Sequence, residues 1–115
     1  MYHNRDAIKN TYYRKVVKTV KNKYQLVYMS LNPGEDIPWE KHNGIVQAFT
    51  ILAGKGKIQI ERTVYHVKKG DIVVVEPNHR HYVKNTAQQP LKIVTTYSPP
   101  EHPPNRRNKR QPKND

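Results

Sequence analysis

The stretch Pro38–Gly56, PWEKHNGIVQAFTILAGKG, decides the fold prediction. It has polar side chains at alternate positions, then an Asn-Gly turn, and then a strand-like run from Ile45 to Leu52. Glu40 and His42 stand two residues apart, so in an extended segment both side chains lie on one face. The Asn-Gly pair that follows is typical of a tight turn. We therefore expect the next strand to run back alongside, with Gln47 opposite Glu40 or His42.

Gln47 shares its strand parity with Phe49 and Ile51, which predicts that its amide lies among apolar side chains. A buried amide needs a hydrogen-bonding or ligating partner. Either a metal ion or a hydrogen-bond network with Glu40 and His42 would supply one.

A second polar stretch, EPNHRHYVKNT, Glu76–Thr86, contributes His81. Spacing alone does not bring His81 to the first stretch. His79 stands two residues earlier and is expected at the rim of a pocket or in solvent, and His66 is expected on an exposed strand.

Strand signals fill most of the remaining chain. Short β-branched or aromatic segments such as YQLVYMSL, KIQIE and LKIVTTY are separated by turn residues. About eight such strands favour an all-β sandwich or barrel. No long segment has apolar residues at helical spacing, so no strong helix is expected.

Composition limits the class of protein. The chain has 115 residues, enough for one domain, and its 35% hydrophobic content includes no apolar run of membrane-spanning length. It has no cysteine, which excludes disulfides and thiolate chemistry, and no hydrophobic leader follows Met1. We therefore expect a cytoplasmic protein with no membrane partner.

The net charge of +12 is concentrated near the ends. Residues 1–24 carry seven Lys or Arg against Asp6, and residues 101–115 carry five against Glu101 and Asp115. Basic termini can bind nucleic acid by releasing counterions, but the sequence shows no recognised nucleic-acid-binding motif. A solubilising surface is the alternative interpretation.

The two polar stretches together resemble the two motifs of the cupin family. The first family motif is a glycine, five residues, His-x-His, three or four residues, Glu, six residues and a glycine; this chain has Gly34, Glu40-Lys41-His42, Gln47 and Gly54 at those intervals. The second is a glycine, five residues, Pro-x-Gly, two residues, His, three residues and Asn; this chain has Gly70, Glu76-Pro77-Asn78, His81 and Asn85. Asn78 tolerates the positive φ that glycine supplies at its position.

The resemblance extends over roughly residues 12–104. Over this range the chain is similar to small single-domain cupins labelled mannose-6-phosphate isomerase-like. It implies a double-stranded β-helix, or jelly-roll, barrel over residues 12–104. An N-terminal arm, 1–11, with extended N-terminal strands after it, and a disordered basic tail, 105–115, would flank the barrel. Such barrels commonly pair as homodimers.

The resemblance also implies a divalent metal, Zn, Fe, Mn or Ni, held by Glu40, His42, Gln47 and His81. Glu40 replaces the family's first His and Gln47 its Glu, so the set has two imidazoles, one carboxylate and one amide oxygen. If Glu40 does not bind the metal, it would be the catalytic base of a sugar or sugar-phosphate isomerisation. A dioxygenase is less favoured, and a non-catalytic binding or structural module is the alternative.

The predicted substrate is a small polar or anionic molecule such as a sugar. Aromatic side chains at the barrel mouth, Tyr28, Phe49 and Tyr82, with Tyr24 and Tyr97, are candidates to contact it, although Phe49 also fits the core. Lys41, Arg80 and Lys92 are candidates to attract an anionic group. Trp39 should face away from Glu40, towards solvent, the rim or an oligomer interface.

Overall fold

The computed structural model describes residues 1–113. Over these residues the chain forms one short helix and ten β-strands. In order, they are α1 (Asn4–Lys9), β1 (Arg14–Val20), β2 (Tyr24–Leu31), β3 (Asp36–Glu40), β4 (Val46–Ala53), β5 (Lys55–Ile60), β6 (Thr63–Lys68), β7 (Ile72–Val75), β8 (His81–Asn85), β9 (Leu91–Ser98) and β10 (Arg107–Asn108).

The strands form two antiparallel sheets that face each other. One has six strands in the order β10-β1-β2-β9-β4-β7, and the other has four in the order β3-β8-β5-β6. The core lies between them, with Met29, Phe49 and Ile93 from the larger sheet and Ile58 and Val83 from the smaller. The all-β jelly-roll prediction is confirmed.

Strand β9 shows why these residues form a two-layer fold. Leu91, Ile93, Thr95 and Tyr97 are buried, and the residues between them are half-buried. This period of two matches the alternation of side chains along a strand. One face of the strand therefore lines the core along its whole length.

Strands β3 and β4 do not form the hairpin that the Asn-Gly turn predicts. β3 lies in the four-stranded sheet beside β8, and β4 lies in the six-stranded sheet between β9 and β7. The turn at residues 43–44 therefore carries the chain from one sheet to the other, with Gly44 at φ 72°. Gln47 consequently pairs with Val75 and Tyr97, not with Glu40 or His42.

Helix α1 lies in the predicted N-terminal arm and was not expected from the sequence. Its six residues are too few for an apolar stripe to show, and most of them are exposed. Ala7 is fully buried and packs with Tyr28 and Leu52 on the outer face of the six-stranded sheet. No helix within residues 1–113 is long and apolar enough to cross a bilayer.

The sequence predicts a disordered tail over residues 105–115, but part of this segment is ordered in the structure. Arg107 and Asn108 form β10 and pair with Lys15 and Arg14 at the edge of the six-stranded sheet. The Gln111 side chain donates to Asp36 Oδ1 at 2.7 Å and accepts from the Asp36 backbone N–H at 3.1 Å. These bonds satisfy backbone groups on an open sheet edge, a gain that composition alone does not reveal. Residues 114–115 of that predicted tail lie outside the described residues.

Candidate metal centre

The predicted ligands come from both sheets and from the loop between them. Glu40 ends β3 and His81 begins β8, and the two are direct cross-strand partners. His42 lies in the loop after β3. Gln47 lies on the opposite sheet beside Phe49 and Tyr97, whose rings contact His81 and His42 with centroids 6.1 and 5.9 Å apart. The site therefore occupies one end of the space between the sheets.

Glu40, His42 and His81 bring their ligating atoms close together. One carboxylate oxygen and one nitrogen of each imidazole all lie within 4.8 Å of one another. His42 Nε2 is 2.9 Å from Glu40 Oε2, and the two imidazole centroids are 5.1 Å apart. Both histidines are buried, whereas Glu40 is half-buried at the mouth. This cluster is the arrangement that can hold a metal ion.

His81 is oriented by its own strand. Its Nδ1 lies 3.1 Å from the carbonyl oxygen of His79. Because a carbonyl only accepts, Nδ1 carries the proton and Nε2 keeps a free lone pair. His81 Nε2 is buried and has no hydrogen-bond partner. The side chain of His79 is exposed, as predicted, and His66 is exposed on β6.

His42 has a carboxylate on each side of its ring. Besides the Glu40 contact at Nε2, its Nδ1 lies 3.4 Å from Glu101 Oε2. The Nε2 contact is close but is not aligned as a hydrogen bond. An acidic group on the far nitrogen of a ligating histidine fixes the ring and increases its basicity. Sequence reasoning missed Glu101, because it lies about 60 residues after His42 in the chain and outside both motifs.

Gln47 is fixed by a neighbour that the sequence did not single out. Its Nε2 donates to Thr95 Oγ1 at 3.2 Å, in a fully buried contact. Since the amide nitrogen is held by the threonine, the amide oxygen is the atom left to act as an acceptor. Gln47 Oε1 is buried and has no hydrogen-bond partner.

These residues fit a divalent metal. His81 Nε2 and Gln47 Oε1 are buried acceptors without a hydrogen-bond partner, and His42 Nε2 is buried against the Glu40 carboxylate. Each unsatisfied buried polar group costs about 1–3 kcal/mol, a cost that coordination of a cation would relieve. Two imidazole nitrogens with carboxylate and amide oxygens suit Zn, Fe, Mn or Ni.

The two imidazoles differ in proton affinity. Burial acts to lower the pKa of His42, but the close contact and negative charge of Glu40, with the charge of Glu101, outweigh burial and raise the pKa above 6.5. Burial also lowers the pKa of His81, and there the nearby carboxylate does not compensate, so the net pKa falls below 6.5. One ring therefore holds its proton and the other gives it up readily.

Two aromatic rings form walls of the site. Phe49 is fully buried in the core and contacts His81, and Tyr97 packs edge-on against His42. Burial, with the nearby charge of Glu40, raises the pKa of Tyr97 well above its ordinary value, so its hydroxyl stays neutral. The Tyr97 hydroxyl lies 3.2 Å from His102 Nε2. His102, like Glu101, follows β9 and lies beside this end of the sandwich.

Residues 98–104, which we call the strap, place Glu101 next to His42. Gln25 is fully buried and holds the strap by accepting from the backbone N–H groups of Glu101 and His102 at 3.2 and 2.9 Å. Its Nε2 also donates to the His102 carbonyl at 2.7 Å. A groove of ≈ 540 Å³ runs beside the strap, lined by Thr19, Lys21, Asn22, Pro99, Pro100, His102 and Pro104.

Tyr28 and Tyr82, both predicted to contact substrate, lie on outer faces of the sheets. Tyr28 packs with Ala7 and Leu52 beneath α1. Tyr82 alternates with His81 and Val83 and donates its hydroxyl to Asp36 Oδ2 at 2.7 Å. Burial and this hydrogen bond raise the pKa of Tyr82 to about 12. Neither ring is brought to the ligand cluster, because strand parity places it opposite the inward side chains.

Two of the cations expected to attract an anionic substrate are engaged elsewhere. Lys92 Nζ donates to the Asn10 carbonyl at 2.6 Å and to Ser30 Oγ at 2.9 Å. The guanidinium of Arg80 lies 5.2 Å from the centre of the Trp39 ring. Lys41 is exposed in the loop that carries His42. Lys92 and Arg80 are therefore held by contacts outside the ligand cluster.

A comparison with protein families agrees with the two-sheet fold and the motif spacing of the chain. The family model described as "Cupin domain" matches residues 27–97. The chain belongs to the cupin family. In this cupin the matched span includes all four candidate ligands and ends before the strap. Glu101 is therefore a feature of the chain outside the region that matches the family.

Known relatives and structures carry the likeness over most of the cupin's length. Uncharacterized protein L612 of Acanthamoeba polyphaga mimivirus is 36% identical over 115 residues, covering 93% of this chain and 69% of that protein. The crystal structure of BH2720 from Bacillus halodurans matches with a TM-score of 0.90 at 26% identity, covering 95% of this chain and 88% of the other. The oxalate-binding protein of Thermotoga maritima is 27% identical over 66 residues, 57% of this chain and 54% of that protein.

Proposed function

We propose that this cupin binds one divalent metal through Glu40, His42 and His81, with Gln47 Oε1 as a fourth ligand. The observation that carries the proposal is the convergence of Glu40, His42 and His81, whose ligating atoms lie within 4.8 Å of one another. His81 Nε2 and Gln47 Oε1 support it, because both are buried acceptors without a hydrogen-bond partner. Thr95 and the His79 carbonyl support it, because each holds the non-ligating atom of its neighbour. The ligand set leaves room for an exogenous ligand, as in other sites with two histidines and one carboxylate.

The ligand we propose is a small anion with oxygen donors. Glu40 supplies one negative charge to a dication, and Gln47 is neutral where the family pattern has its carboxylate, so Glu40 is the one charged ligand of the proposed set. The occupied site would keep a net positive charge that an anion neutralises. The name of the Thermotoga maritima relative points to a dicarboxylate of this kind. The proposal for this chain extends to small carboxylates and to sugar phosphates.

Isomerisation of a sugar or sugar phosphate is the second candidate, in line with the likeness to mannose-6-phosphate isomerase-like cupins. It is favoured by the half-buried Glu40 carboxylate at the mouth of the site. In this candidate Glu40 is not a metal ligand: it would take a proton from the carbon next to the substrate carbonyl and return it to the former carbonyl carbon. The proton of the hydroxyl on the first carbon would move to the former carbonyl oxygen, which leaves a new carbonyl on the first carbon. The metal, when bound, supplies polarisation of that carbonyl oxygen. A binding or structural module without turnover uses the same site and omits the proton transfer.

Metal content measured by mass spectrometry tests the site. Protein purified without a histidine tag or chelator should hold about one metal per chain, and the His42→Ala, His81→Ala double variant should hold none. A His66→Ala, His79→Ala variant is the matched control, because both side chains are exposed and outside the cluster. Equal, near-zero content in all three after incubation with Fe, Mn, Ni and Zn would overturn the proposal.

An isomerisation assay on sugar phosphates separates the second candidate from the first. Turnover by the wild type that is absent from the His42→Ala variant would support isomerase activity. Turnover no greater than that of His42→Ala would exclude it and leave the metal site untouched. Binding of oxalate to the metal-loaded protein without turnover would then favour the binding module.

A further inference from the structure

The outer face of the four-stranded sheet carries a concentration of lysines and aromatic rings. Ile37, Ile58, Val67 and Val83 point into the core, so the adjacent residues of β5, β6 and β8 point outwards. In β3 the register shifts between Ile37 and Glu40, and Trp39 lies on the same outer face, where it stacks on Tyr82. The outward residues that matter here are Trp39, Lys55, Lys57, Lys68, Tyr82 and Lys84, which we call the basic sheet face.

Like charges oppose each other directly on this face. Lys55 is the cross-strand partner of Lys68, and Lys57 is the partner of Lys84. Directly opposed like charges destabilise a sheet. Asp36, the acidic residue in register with Lys84, accepts hydrogen bonds from Tyr82 and Gln111. A ligand that brings negative charge to the face would relieve this repulsion.

Two aromatic rings stand between two cations on the same face. Trp39 stacks on Tyr82 with centroids 5.5 Å apart and planes at 20°. The Arg80 guanidinium lies 5.2 Å from the Trp39 ring centre, and Lys57 Nζ lies 5.9 Å from that of Tyr82. Trp39 is 41% exposed. A large aromatic ring that stays exposed on the outer face of a sheet is typical of a surface that binds a partner.

Helix α1 covers part of the outer face of the other sheet. Ala7 of the helix packs against Tyr28 and Leu52 on the outer surface of the six-stranded sheet. The principal contacts of α1 with strands all involve the other sheet, and Trp39, Lys55 and Lys68 of the basic sheet face are exposed. The basic sheet face is therefore available to a partner from outside the chain.

We propose that the basic sheet face binds single-stranded nucleic acid. The phosphates of the nucleic acid contact the opposed lysines and act as their counterions. The unpaired bases of the nucleic acid stack on the aromatic rings. One base takes the place of Arg80 on the outer side of Trp39, and the Arg80 guanidinium then binds a phosphate. A duplex keeps its bases stacked inside and cannot use the rings in this way. Charge complementarity and exposed rings together select the single strand.

Intrinsic fluorescence gives a direct test, because Trp39 is the single tryptophan of the chain. Titration with an oligothymidylate of about 15 nucleotides should quench it, since a base stacks on the ring. If three or four phosphates are neutralised, the logarithm of the affinity should fall against the logarithm of salt concentration with a slope of about −2 to −3.

Charge-reversal variants locate the contact. Lys57→Glu with Lys84→Glu should weaken binding about 10-fold or more at low salt and reduce the salt slope by about 1.4, the share of two phosphates. The matched control is Lys21→Glu with Lys23→Glu, the same charge change in the exposed turn between β1 and β2. The control should retain the affinity within about twofold, and far-UV circular dichroism should be unchanged in both.

Three results would overturn the proposal. The first is unchanged Trp39 fluorescence at about 50 mM salt, where electrostatic binding is strong. The second is an equal loss of affinity in the control variant, which would show only the effect of net charge. The third is a Trp39 signal that changes with protein concentration alone, which would assign the face to a second copy of the chain. Retained binding by His42→Ala, His81→Ala would show that this surface acts independently of the metal centre.

Discussion

His42 lies between two carboxylates in the candidate metal centre, and its ring is held differently from that of His81. Glu40 approaches Nε2 and Glu101 approaches Nδ1, so the ring is fixed from both sides. His81 has a backbone carbonyl on Nδ1 instead. The two histidines thus present the same atom, Nε2, to the site, but only one of them has a charged group behind it.

Replacing Glu101 should weaken metal binding without removing a ligand. Glu101→Ala is expected to lower metal affinity about 10- to 100-fold, because His42 loses the group that orients its ring. Glu101→Gln should lower it less, since the amide oxygen still accepts a hydrogen bond. Competition with a chelator measures the change. Glu76→Ala is the control, an exposed carboxylate outside the cluster, and an equal effect from it would contradict the role of Glu101.

The two histidines of the metal-free protein should titrate on opposite sides of pH 6.5. The pKa of His42 is raised, so its protonation adds stability that is present below pH 6.5 and is lost as pH rises through the folded-state pKa. The pKa of His81 is lowered, so its contribution is full above pH 6.5 and is lost as pH falls towards the folded-state pKa. Imidazole NMR signals measure both. Glu101→Gln should lower the pKa of His42, and a pKa of His81 above that of His42 would contradict the assignment.

Sequence alone could predict the four candidate ligands but not the groups that orient them. Two of the ligands are histidines at motif spacing, and the parity of Gln47 with Phe49 correctly predicts that it is buried. Thr95 and Glu101 have no local signal, because each meets its partner through tertiary contact across about 50 residues or more.

Among the strands, the alternation of side chains predicts which face is buried but not which sheet a strand joins. The Asn-Gly turn led to a predicted hairpin of β3 and β4, and the chain instead crosses between sheets there. A tight turn fixes the local change of direction, whereas the choice of partner strand depends on burial across the whole sandwich. The positive φ of 68° at Asn78, by contrast, is local and was predicted correctly.

Strand β10 should contribute measurably to stability although it has only two residues. Ending the chain after Asn105 would remove the bonds from the Val16 N–H to the Arg106 carbonyl at 2.9 Å and from the Tyr13 N–H to the Lys109 carbonyl at 3.3 Å. We expect the free energy of unfolding to fall by about 1–3 kcal/mol. Urea unfolding measures the change, and faster amide exchange at Val16 should accompany it.

The control for this truncation is Arg110→Ala with Lys113→Ala, which alters exposed side chains of the same segment and keeps its backbone. It should leave the free energy of unfolding within about 0.5 kcal/mol of the wild type. If the shortened chain were as stable as the control, residues 106–113 would have no structural role.

The molecule as a whole is a sandwich whose candidate metal centre lies at one end, between its two layers. Glu40 and His81 belong to the four-stranded sheet, Gln47 belongs to the six-stranded sheet, and His42 lies between them. A metal bound there would crosslink the layers at one end. Metal occupancy should therefore affect global unfolding and not only the local order of a loop.

Addition of metal should raise the melting temperature. At a free metal concentration of about 100 times Kd, the stabilisation is about 2.7 kcal/mol, which corresponds to a shift of about 10 °C or more for a domain of this size. Differential scanning calorimetry with and without added metal measures it. The His42→Ala, His81→Ala variant should show no shift, and an equal shift in that variant would indicate non-specific binding.

The pairing of β10 with β1 also bears on aggregation. β1 reads RKVVKTV, a strand rich in β-branched residues, and β10 occupies part of its outer edge. A bare edge of this kind is a template for the edge of another molecule. Proteolytic loss of the last ten residues would therefore do more than weaken one protein molecule. It would create a chain that can add to others of its kind, strand beside strand.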